Sequence, residues 1–342
     1  MSPIYRAVVT GGGGFLGSRI VSMLLDEGCA VTSFSRHHYP KLSARGVTCH
    51  VGDLADASAV SEALRKADVV FHVAANVGTW GDYAQYYATN VVGTQNVIEA
   101  CKQNGVKKLV HTSTPSVIFS GRDIRNANEN VPFARKHLTH YASTKAKAER
   151  IVIAANGPDL ATVVLRPHVI WGPGDNLIFP RLVERHLANR LMLFGRGDNL
   201  VDTTYVDNAA RAHLDASSRL APGRPPAGCT YFISQGDPRP LRDILNELMR
   251  AAELPPVKKS VPFSVAYVAA CLIETSYRML RVTAEPPLTR YLVLKMARDH
   301  YFDITAARRD LGYNPAISIE EGMQRLRQVL SAEATTTSVG GA

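Results

Sequence analysis

The sequence of 342 residues lacks the features of a membrane-spanning or secreted chain. It contains neither an apolar run of about 18 residues, the length that a transmembrane helix needs, nor an N-terminal signal peptide. Its five cysteines are widely spaced and form no Cys-x-x-Cys pair, which argues against a disulfide framework and a zinc site. We therefore expect reduced thiols, no bound metal and a cytoplasmic location, with the surface of a membrane as the alternative.

Basic side chains outnumber acidic ones without being concentrated in one region. The chain has 39 Lys and Arg residues against 30 Asp and Glu, a formal charge of +9. No basic run is interleaved with aromatic residues, so nucleic acid is not an expected partner. The positive balance instead fits an acidic small molecule or an anionic lipid surface.

Strand-like apolar runs alternate with helix-like segments through the first half of the chain. This order is typical of an α/β protein with a doubly wound parallel sheet, whose two faces are covered by helices. We assign residues 1–167 to this sheet domain. Prolines and glycines become frequent afterwards, so we assign 168–330 to a smaller C-terminal cap mixed with remaining sheet elements, and 331–342 to a flexible tail.

A glycine-rich turn follows the first predicted strand and opens the first helix. Gly11, Gly14 and Gly17 permit a tight turn and a close approach of the backbone to a pyrophosphate. Phe15 and Leu16 lie in the first helical turn, whose free N–H groups and positive dipole end attract phosphate. This context predicts a dinucleotide-binding site.

The second predicted strand ends in Ser35 and Arg36, where an NAD-selective site usually carries an acidic residue. A guanidinium matches a 2′-phosphate in charge and geometry, which favours NADP(H). The alternative is that Arg36 stacks on the adenine and NAD(H) is accepted. Asp53, followed by Leu54, is interpreted either as a partner of the adenine amine or as a helix cap.

Tyr141 and Lys145 are four residues apart on a predicted helix and therefore share one face. A nearby ammonium stabilises a phenolate, so we expect Lys145 to lower the pKa of Tyr141 towards neutrality. Tyr141 then serves as general acid or base on a substrate oxygen. The strand before this helix ends in consecutive hydroxyl residues, among them Ser113 and Thr114.

Together these motifs resemble the extended short-chain dehydrogenases/reductases, in particular the 3β-hydroxysteroid dehydrogenase-like branch, over residues 4 to about 330. The resemblance implies a Rossmann fold and an NAD(P)-dependent oxidoreductase acting on a CH–OH group. It implies that Lys145 binds the nicotinamide ribose and that Thr114 holds the substrate oxygen beside Tyr141, with Ser113 as the alternative. The resemblance also implies that Ala74, Asn90 and Pro167 contact the cofactor and that Asn176 contacts the substrate. For Asn90 the alternative is a structural role, in which its side chain holds helices together.

Two substrate classes fit this branch, and each is a large apolar molecule with a carboxylate β to the reacting oxygen. The favoured one is a 2-alkyl-3-oxoalkanoate, reduced with NADPH to the 3-hydroxy acid; residues 112–117 and 171–176 carry this likeness. The alternative is a 3β-hydroxysteroid, such as a sterol-4α-carboxylate, oxidised with loss of CO₂. The carboxylate needs a basic partner, for which Arg181, Arg185 and Lys136 are candidates.

Two other functional classes share parts of this pattern. A sugar-nucleotide epimerase or dehydratase has the same cofactor loop and Tyr–Lys pair. A dehydratase usually carries an acidic residue after the catalytic hydroxyl, where this sequence has Pro115. A nucleotide-sensing module commonly lacks the Tyr–Lys pair, so Tyr141 and Lys145 argue for an enzyme.

Residues 261–273 form an uncharged segment that follows Lys258 and Lys259. The segment is too short to span a bilayer. We interpret it first as a core helix, with a lid over an apolar substrate and a membrane-surface anchor as alternatives. The family resemblance also implies a homodimer that pairs through long helices predicted at 83–104 and 141–155.

Overall fold

The structure, a computed structural model, describes residues 5–339 and confirms the predicted doubly wound sheet. Its strands are β1 (Arg6–Thr10), β2 (Ala30–Ser35), β3 (Thr48–Val51), β4 (Val69–His72), β5 (Lys108–Thr112), β6 (Ile124–Ala127), β7 (Ala161–Pro167), β8 (Ile170–Trp171), β9 (Leu193–Phe194), β10 (Leu200–Val201), β11 (Thr204–Tyr205), β12 (Thr230–Ile233), β13 (Arg239–Pro240), β14 (Ser260–Val261) and β15 (His300–Phe302). Its α-helices are α1 (Phe15–Asp26), α2 (Pro40–Ser43), α3 (Ala57–Ala63), α4 (Tyr83–Tyr87), α5 (Gly93–Gln103), α6 (His140–Ala154), α7 (Ile178–Leu187), α8 (Val206–Arg219), α9 (Leu241–Ala251), α10 (Phe263–Met279), α11 (Arg290–Ala297) and α12 (Ile319–Val339).

The main sheet contains seven parallel strands in the order β12-β7-β5-β4-β1-β2-β3. The central strand β1 pairs with β2 on one side and with β4 on the other, so the strand order reverses at this point. A crevice opens at such a reversal, outside the carboxyl ends of the strands, and ligands bind there. Strand β12 comes from the second half of the chain and forms one edge of the sheet.

Helices cover both faces of this sheet. On one face α1 packs against α8, and on the other α3, α5 and α6 pack together over the strands. The sequence does not predict α8, because much of its packing surface consists of alanines such as Ala209, Ala212 and Ala216, which give a weak hydrophobic pattern. These small side chains allow α8 to lie close to α1.

The second half of the chain also builds a cap on the carboxyl edge. A small sheet in the order β13-β10-β15-β6 is flanked by α7, α9 and α12, which share an apolar core that includes Trp171 and Leu248. Helices α10 and α11 form a separate packed pair around Ala270 and Val293. Strand β6 from the first half joins the cap sheet, so the two parts of the chain are interleaved.

Two predicted segments have other bounds in the structure. The helix predicted at 83–104 is interrupted by a π-helical segment, Ala88–Val92, between α4 and α5. Such segments are often found at functional sites. At the other end of the chain α12 continues to Val339, so the described part of the predicted tail is helical, and residues 340–342 lie outside the described residues.

The prediction of a core helix at 261–273 is wrong. Helix α10 buries only Ala266, Ala270 and Glu274, because it lies at the outside of the molecule and contacts mainly α11. Its large apolar side chains form an exposed stripe, with Val268 58% and Leu272 67% accessible. None of the helices in residues 5–339 combines the length and the apolar character that crossing a bilayer requires.

Candidate active site

A cleft of about 470 Å³ lies along the carboxyl ends of the central strands, where the strand order reverses. Its wall combines the glycine turn, the ends of β2, β5 and β7, and the start of α7. Apart from Asn90 and the three candidate partners of the substrate carboxylate, the residues predicted at the site line this cleft: Gly11, Gly14, Phe15, Leu16, Gly17, Ser35, Arg36, Asp53, Leu54, Ala74, Ser113, Thr114, Tyr141, Lys145, Pro167 and Asn176.

The glycine turn brings loop, helix and sheet into contacts that a side chain would prevent. Gly11 has φ +72°, and a Cβ on it would lie 3.0 Å from the Cα of Ala74. A Cβ on Gly17 would lie 2.1 Å from the carbonyl oxygen of Gly11. No side chain caps α1, so the N–H groups of Phe15 and Leu16 are free to face a phosphate. These residues therefore fit the pyrophosphate of a dinucleotide.

The end of β2 offers a basic and not an acidic group to the cleft. Arg36 is exposed there beside Ser35, and β2 contains no aspartate or glutamate. The aromatic ring of Tyr39, which the sequence does not predict at the site, covers the glycine turn. A Cβ on Gly13 would lie only 2.2 Å from its Cε2 atom.

Asp53 lines the same part of the cleft. Its Oδ1 accepts a hydrogen bond from the N–H of Ala55 at 2.8 Å, which fixes the turn after β3. The N-cap of α3 is Asp56, whose carboxylate accepts from Ser58 and Ala59. The helix-cap interpretation of Asp53 is therefore wrong, and its position on the cleft wall agrees with the adenine interpretation.

Asn90 lies behind the cleft. Its Oδ1 accepts from the N–H of Asn76 at 2.7 Å, and its Nδ2 donates to the carbonyl oxygen of Asn76 and to Thr144 Oγ1, both at 3.0 Å. These bonds hold the loop after β4, where Ala74 and Ala75 line the cleft. Asn90 thus has the structural role that was its alternative, because its polar atoms are used by the protein.

Lys145 is buried one helical turn after Tyr141 on α6. Its Nζ donates to the carbonyl oxygen of Thr112 at 2.7 Å and contacts His111 Nε2 at 3.2 Å. Burial lowers the pKa of Lys145 to about 8. The ammonium is therefore held against the end of β5.

The phenol of Tyr141 keeps its proton. Burial raises the pKa of Tyr141, the neighbouring phenol of Tyr291 raises it further, and a hydrogen bond with Thr114 opposes these effects. The prediction that Lys145 lowers this pKa is wrong for this structure, because the ammonium is bound to the strand instead. A protonated phenol is a proton donor, which is what the reduction of a carbonyl group requires.

The choice between the two candidate hydroxyls is decided by a buried carboxylate. Ser113 Oγ donates to Glu149 Oε2 at 2.5 Å, and Glu149 also pairs with Arg166. Thr114 instead hydrogen-bonds Tyr141 and accepts from the N–H of Ser116, in the turn that follows β5. Thr114 is therefore the hydroxyl that faces the phenol of Tyr141.

The cap contributes a largely apolar wall near Asn176. Val169, Ile170, Leu177 and Ile178 line this part of the cleft. Such a surface suits an alkyl chain or a sterol more than a sugar. Within residues 5–339, no group of three or more His, Cys, Asp or Glu side chains is arranged to hold a metal ion.

The three basic residues predicted to meet the substrate carboxylate do not line the cleft. Arg181 pairs with Glu285 at 3.3 Å, and its side chain is 56% exposed. Arg185 donates to the carbonyl oxygen of Pro287, and Lys136 is exposed. The structure thus does not bring these residues to the site.

Comparison with known proteins agrees with this geometry. The model of the 3-beta hydroxysteroid dehydrogenase/isomerase family matches residues 8–263. The chain belongs to this family. It is 48% identical to a 2-alkyl-3-oxoalkanoate reductase of Stenotrophomonas maltophilia, over 94% of this chain and 98% of that protein. It is 31% identical to the decarboxylating sterol-4-alpha-carboxylate 3-dehydrogenase of Mus musculus, over 96% of this chain and 91% of that protein.

Solved structures share the fold of this 3-beta hydroxysteroid dehydrogenase/isomerase family member. The UDP-glucuronic acid 4-epimerase of Bacillus cereus, in complex with UDP-glucuronic acid and NAD, superposes with a TM-score of 0.74 at 22% identity. The match covers 96% of this chain and 99% of the epimerase. The predicted Rossmann fold and the prediction of an NAD(P)-dependent oxidoreductase are confirmed.

Three residues at or beside the cleft, Glu149, Tyr39 and Tyr291, were not predicted from the sequence. Glu149 continues the spacing of Tyr141 and Lys145 by four more residues, so the helical pattern contains a signal for it. Tyr39 and Tyr291 have no such signal. Tyr291 lies on α11, far along the chain from Tyr141, and only the fold brings the two phenols together.

Proposed function

We propose that the protein reduces the 3-oxo group of a 2-alkyl-3-oxoalkanoate with NADPH, which gives the 3-hydroxy acid. The observation that carries this proposal is that the phenol of Tyr141, with Thr114 and Lys145 beside it, lies in the same cleft as the glycine turn. The 48% identity to a 2-alkyl-3-oxoalkanoate reductase over nearly the whole chain supports the substrate class. The apolar wall around Asn176 supports a substrate with long alkyl chains.

The reaction adds one hydride to the carbonyl carbon and one proton to the carbonyl oxygen. A reduced nicotinamide, when bound, supplies the hydride. Tyr141 donates its phenolic proton to the oxygen, and Thr114 holds that oxygen by a hydrogen bond. Lys145, fixed by the carbonyl of Thr112, binds the ribose and keeps a positive charge near the phenolate that Tyr141 becomes.

A preference for NADPH over NADH is part of the proposal. The guanidinium of Arg36 lies on the cleft wall at the end of β2. Its planar fork of N–H donors matches a 2′-phosphate, whereas an acidic residue would repel one.

Oxidation of a 3β-hydroxysteroid, including a sterol-4α-carboxylate, is the second candidate. The 31% identity to the mouse sterol-4-alpha-carboxylate 3-dehydrogenase supports it. The same Tyr141, Lys145 and Thr114 would act, but oxidation needs a phenolate as the base. The higher identity to the reductase, 48% against 31%, favours reduction.

A matched pair of assays on the purified protein tests the proposal. The first follows loss of NADPH with a 2-alkyl-3-oxoalkanoate and with its methyl ester, which cannot lose CO₂. The second follows formation of NADH with a 3β-hydroxysteroid that carries a 4α-carboxylate. We expect NADPH loss alone, abolished in Tyr141→Phe.

The other outcomes of these assays each assign a different function. NADH formation alone would replace the proposal by the sterol reaction. No turnover in either assay, with cofactor that stays bound through purification, would favour an epimerase.

We also propose that α10 contacts an anionic lipid surface, from which an apolar substrate is taken. Val265, Val268, Leu272 and Met279 lie along one side of α10 and are 56–79% exposed. The basic residues Lys258, Lys259, Arg278 and Arg281 flank the helix. An apolar stripe beside basic side chains is typical of a surface-bound amphipathic helix.

Co-sedimentation with vesicles containing phosphatidylglycerol tests this contact. Leu272→Glu should release the protein from the vesicles, while Val51→Glu, at a similarly exposed residue of the distant strand β3, should not. Equal binding of both variants to the vesicles would show that α10 does not contact the lipid. A homodimer through α5 and α6 stays a prediction, which sedimentation velocity tests.

A further inference from the structure

Lys295 is a cation that the proposed chemistry of Tyr141 does not use. It lies on α11 four residues after Tyr291, so the two side chains share one face of the helix. Its Nζ lies 5.4 Å from the centre of the Phe119 ring and 2.9 Å from His168 Nε2. Burial lowers the pKa of Lys295 to about 7, and no acidic side chain of the described part of the chain offsets this effect.

The histidine beside Lys295 orients the ammonium without neutralising it. His168 Nδ1 pairs with the carbonyl oxygen of Asp202, and a carbonyl only accepts, so the proton is assigned to Nδ1. His168 Nε2 is then an acceptor for one N–H of Lys295. The pKa of His168 lies well below its usual value, because of burial and the lysine charge, so the ring is neutral.

A second buried histidine in this cluster has unused hydrogen-bonding capacity. His300 is 1% exposed, and neither of its ring nitrogens has a hydrogen-bond partner in the described structure. Its ring lies 5.9 Å from that of His168 and 4.7 Å from that of Phe119. The cluster of Lys295, His168 and His300, which we call the basic cluster, thus offers N–H donors and contains no anion.

The basic cluster lies next to the catalytic hydroxyls. Tyr291 OH is 3.2 Å from Ser116 Oγ, to which Thr114 Oγ1 donates at 3.2 Å. On the other side of the basic cluster, His168 stands between Pro167 and Val169, which both line the cleft. Helix α11 and the segment after β7 therefore connect the basic cluster to the hydroxyls of Ser116 and Thr114 and to the cleft wall at Pro167 and Val169.

We propose that Lys295, oriented by His168, binds the carboxylate of the substrate. This inference rests on the proposed reduction of a 3-oxo acid, in which the carboxylate is attached to the carbon next to the reacting carbonyl. A substrate carboxylate bound there would be the counter-ion of the Lys295 ammonium. It would also hold the substrate carbonyl near Thr114 and Tyr141. Lys295 is not itself on the cleft wall, but it contacts His168, whose neighbours Pro167 and Val169 form part of that wall.

Kinetics with a matched substrate pair test this inference. The substrates are a 2-alkyl-3-oxo acid and its methyl ester, and the variants are Lys295→Met, Lys295→Arg and, as control, the exposed Lys102→Met on α5. We expect Lys295→Met to lower kcat/KM for the acid by about 10- to 100-fold, the value of a charge-assisted hydrogen bond. For the ester, kcat/KM of Lys295→Met should differ from that of the wild type by less than about threefold. Lys295→Arg should retain most of the preference for the acid, and Lys102→Met should have the same kcat/KM values as the wild type.

Thermal unfolding separates this role from a structural one. A buried cation without a counter-ion costs stability, so Lys295→Met should unfold at the same temperature as the wild type or a higher one. A lower Tm together with an equal loss for acid and ester would assign Lys295 a structural role and overturn the inference. A wild type that reduces acid and ester equally well would also overturn it while the proposed reduction stands. A wild type that reduces neither would overturn the proposed reduction itself.

Discussion

The chemistry of the site depends on which hydroxyl carries which hydrogen bond. Tyr141 retains a proton because burial raises its pKa, and it is Thr114 that faces Tyr141, whereas Ser113 is bound to Glu149. Each of the two neighbouring hydroxyls, Ser113 and Thr114, therefore has its own task. Ser113 stabilises the buried ion pair of Glu149, and in the proposed reaction Thr114 holds the substrate oxygen.

Substitution of the two hydroxyl residues should give opposite results. Thr114→Val should lower kcat for NADPH oxidation by about 10- to 100-fold with little change in Tm, because it removes a hydrogen bond to the reacting oxygen. Ser113→Ala should keep kcat within about threefold but lower the unfolding free energy by roughly 1–3 kcal/mol, since Glu149 loses a buried donor. Steady-state kinetics give kcat of both variants, and urea unfolding gives their unfolding free energies. A larger loss of kcat in Ser113→Ala than in Thr114→Val would contradict the roles assigned to the two hydroxyls.

Arg36 should decide the cofactor preference. Arg36→Ala removes the partner of the 2′-phosphate, so KM for NADPH should rise about 10-fold or more while KM for NADH changes little. The measurement is kcat/KM for both cofactors at a saturating concentration of the same keto acid. An unchanged ratio would mean that the guanidinium only stacks on the adenine.

At the scale of single residues, the sequence predicts what is close along the chain. Tyr141 and Lys145 are one helical turn apart, and the register between Ser113 and Thr114 stays open because Glu149 comes from another element. Lys295 is not predictable from local spacing at all. Its environment consists of His168, Phe119 and His300, which come from three other segments of the chain and meet Lys295 only in the folded protein.

At the scale of elements, the cofactor end of the site is a contact between α1 and the turn before it. The helix approaches so closely that the Gly11 carbonyl occupies the space of a Cβ on Gly17. The alternation of strands and helices predicts this arrangement, because the strand–glycine turn–helix order leaves few other geometries. The cap is harder to predict, since α10 has the composition of a core helix and lies on the outside, and the alanine-rich α8 gives little hydrophobic pattern.

Two glycine variants test the contact of α1 with the turn. Gly17→Ala should lower the unfolding free energy by about 1–3 kcal/mol, because α1 must move away from Gly11. Gly14→Ala should change it by less than about 1 kcal/mol, because its Cβ would meet the Gly11 oxygen at 3.2 Å and φ at Gly14 is −78°. Urea unfolding of both variants without cofactor measures the two free energies. Equal losses of unfolding free energy would contradict the close contact between Gly17 and the Gly11 carbonyl.

At the scale of the whole molecule, buried histidines link stability to pH. His72, His111, His168, His213 and His300 are all buried, and burial lowers the pKa of each, to about 3 for His72 and about 4 for His213. In the unfolded chain these rings have a pKa near 6.5. Below that pH the unfolded state therefore binds protons that the folded state does not.

The protein should accordingly lose stability as the pH falls from about 6.5 towards 4. Each histidine contributes a slope of about 1.4 kcal/mol per pH unit within this window. Urea unfolding at pH 7, 6 and 5 measures the free energy, and we expect a steep fall between pH 6 and 5. The same free energy at pH 7 and pH 5 would show that these rings are accessible to protons in the folded state.

The family match ends at residue 263, within the first turn of α10, whereas Tyr291 and Lys295 lie on α11. The glycine turn, Tyr141 and the apolar wall of the cleft therefore lie within the family match, whereas the proposed carboxylate partner lies after it. A chimera that keeps residues 1–263 and takes its remaining helices from a sterol dehydrogenase would exchange that partner while retaining the rest of the cleft. The junction would fall at the start of α10, where Phe263 stacks on Tyr267 and lies under the guanidinium of Arg298, so the exchanged part has to keep these two contacts.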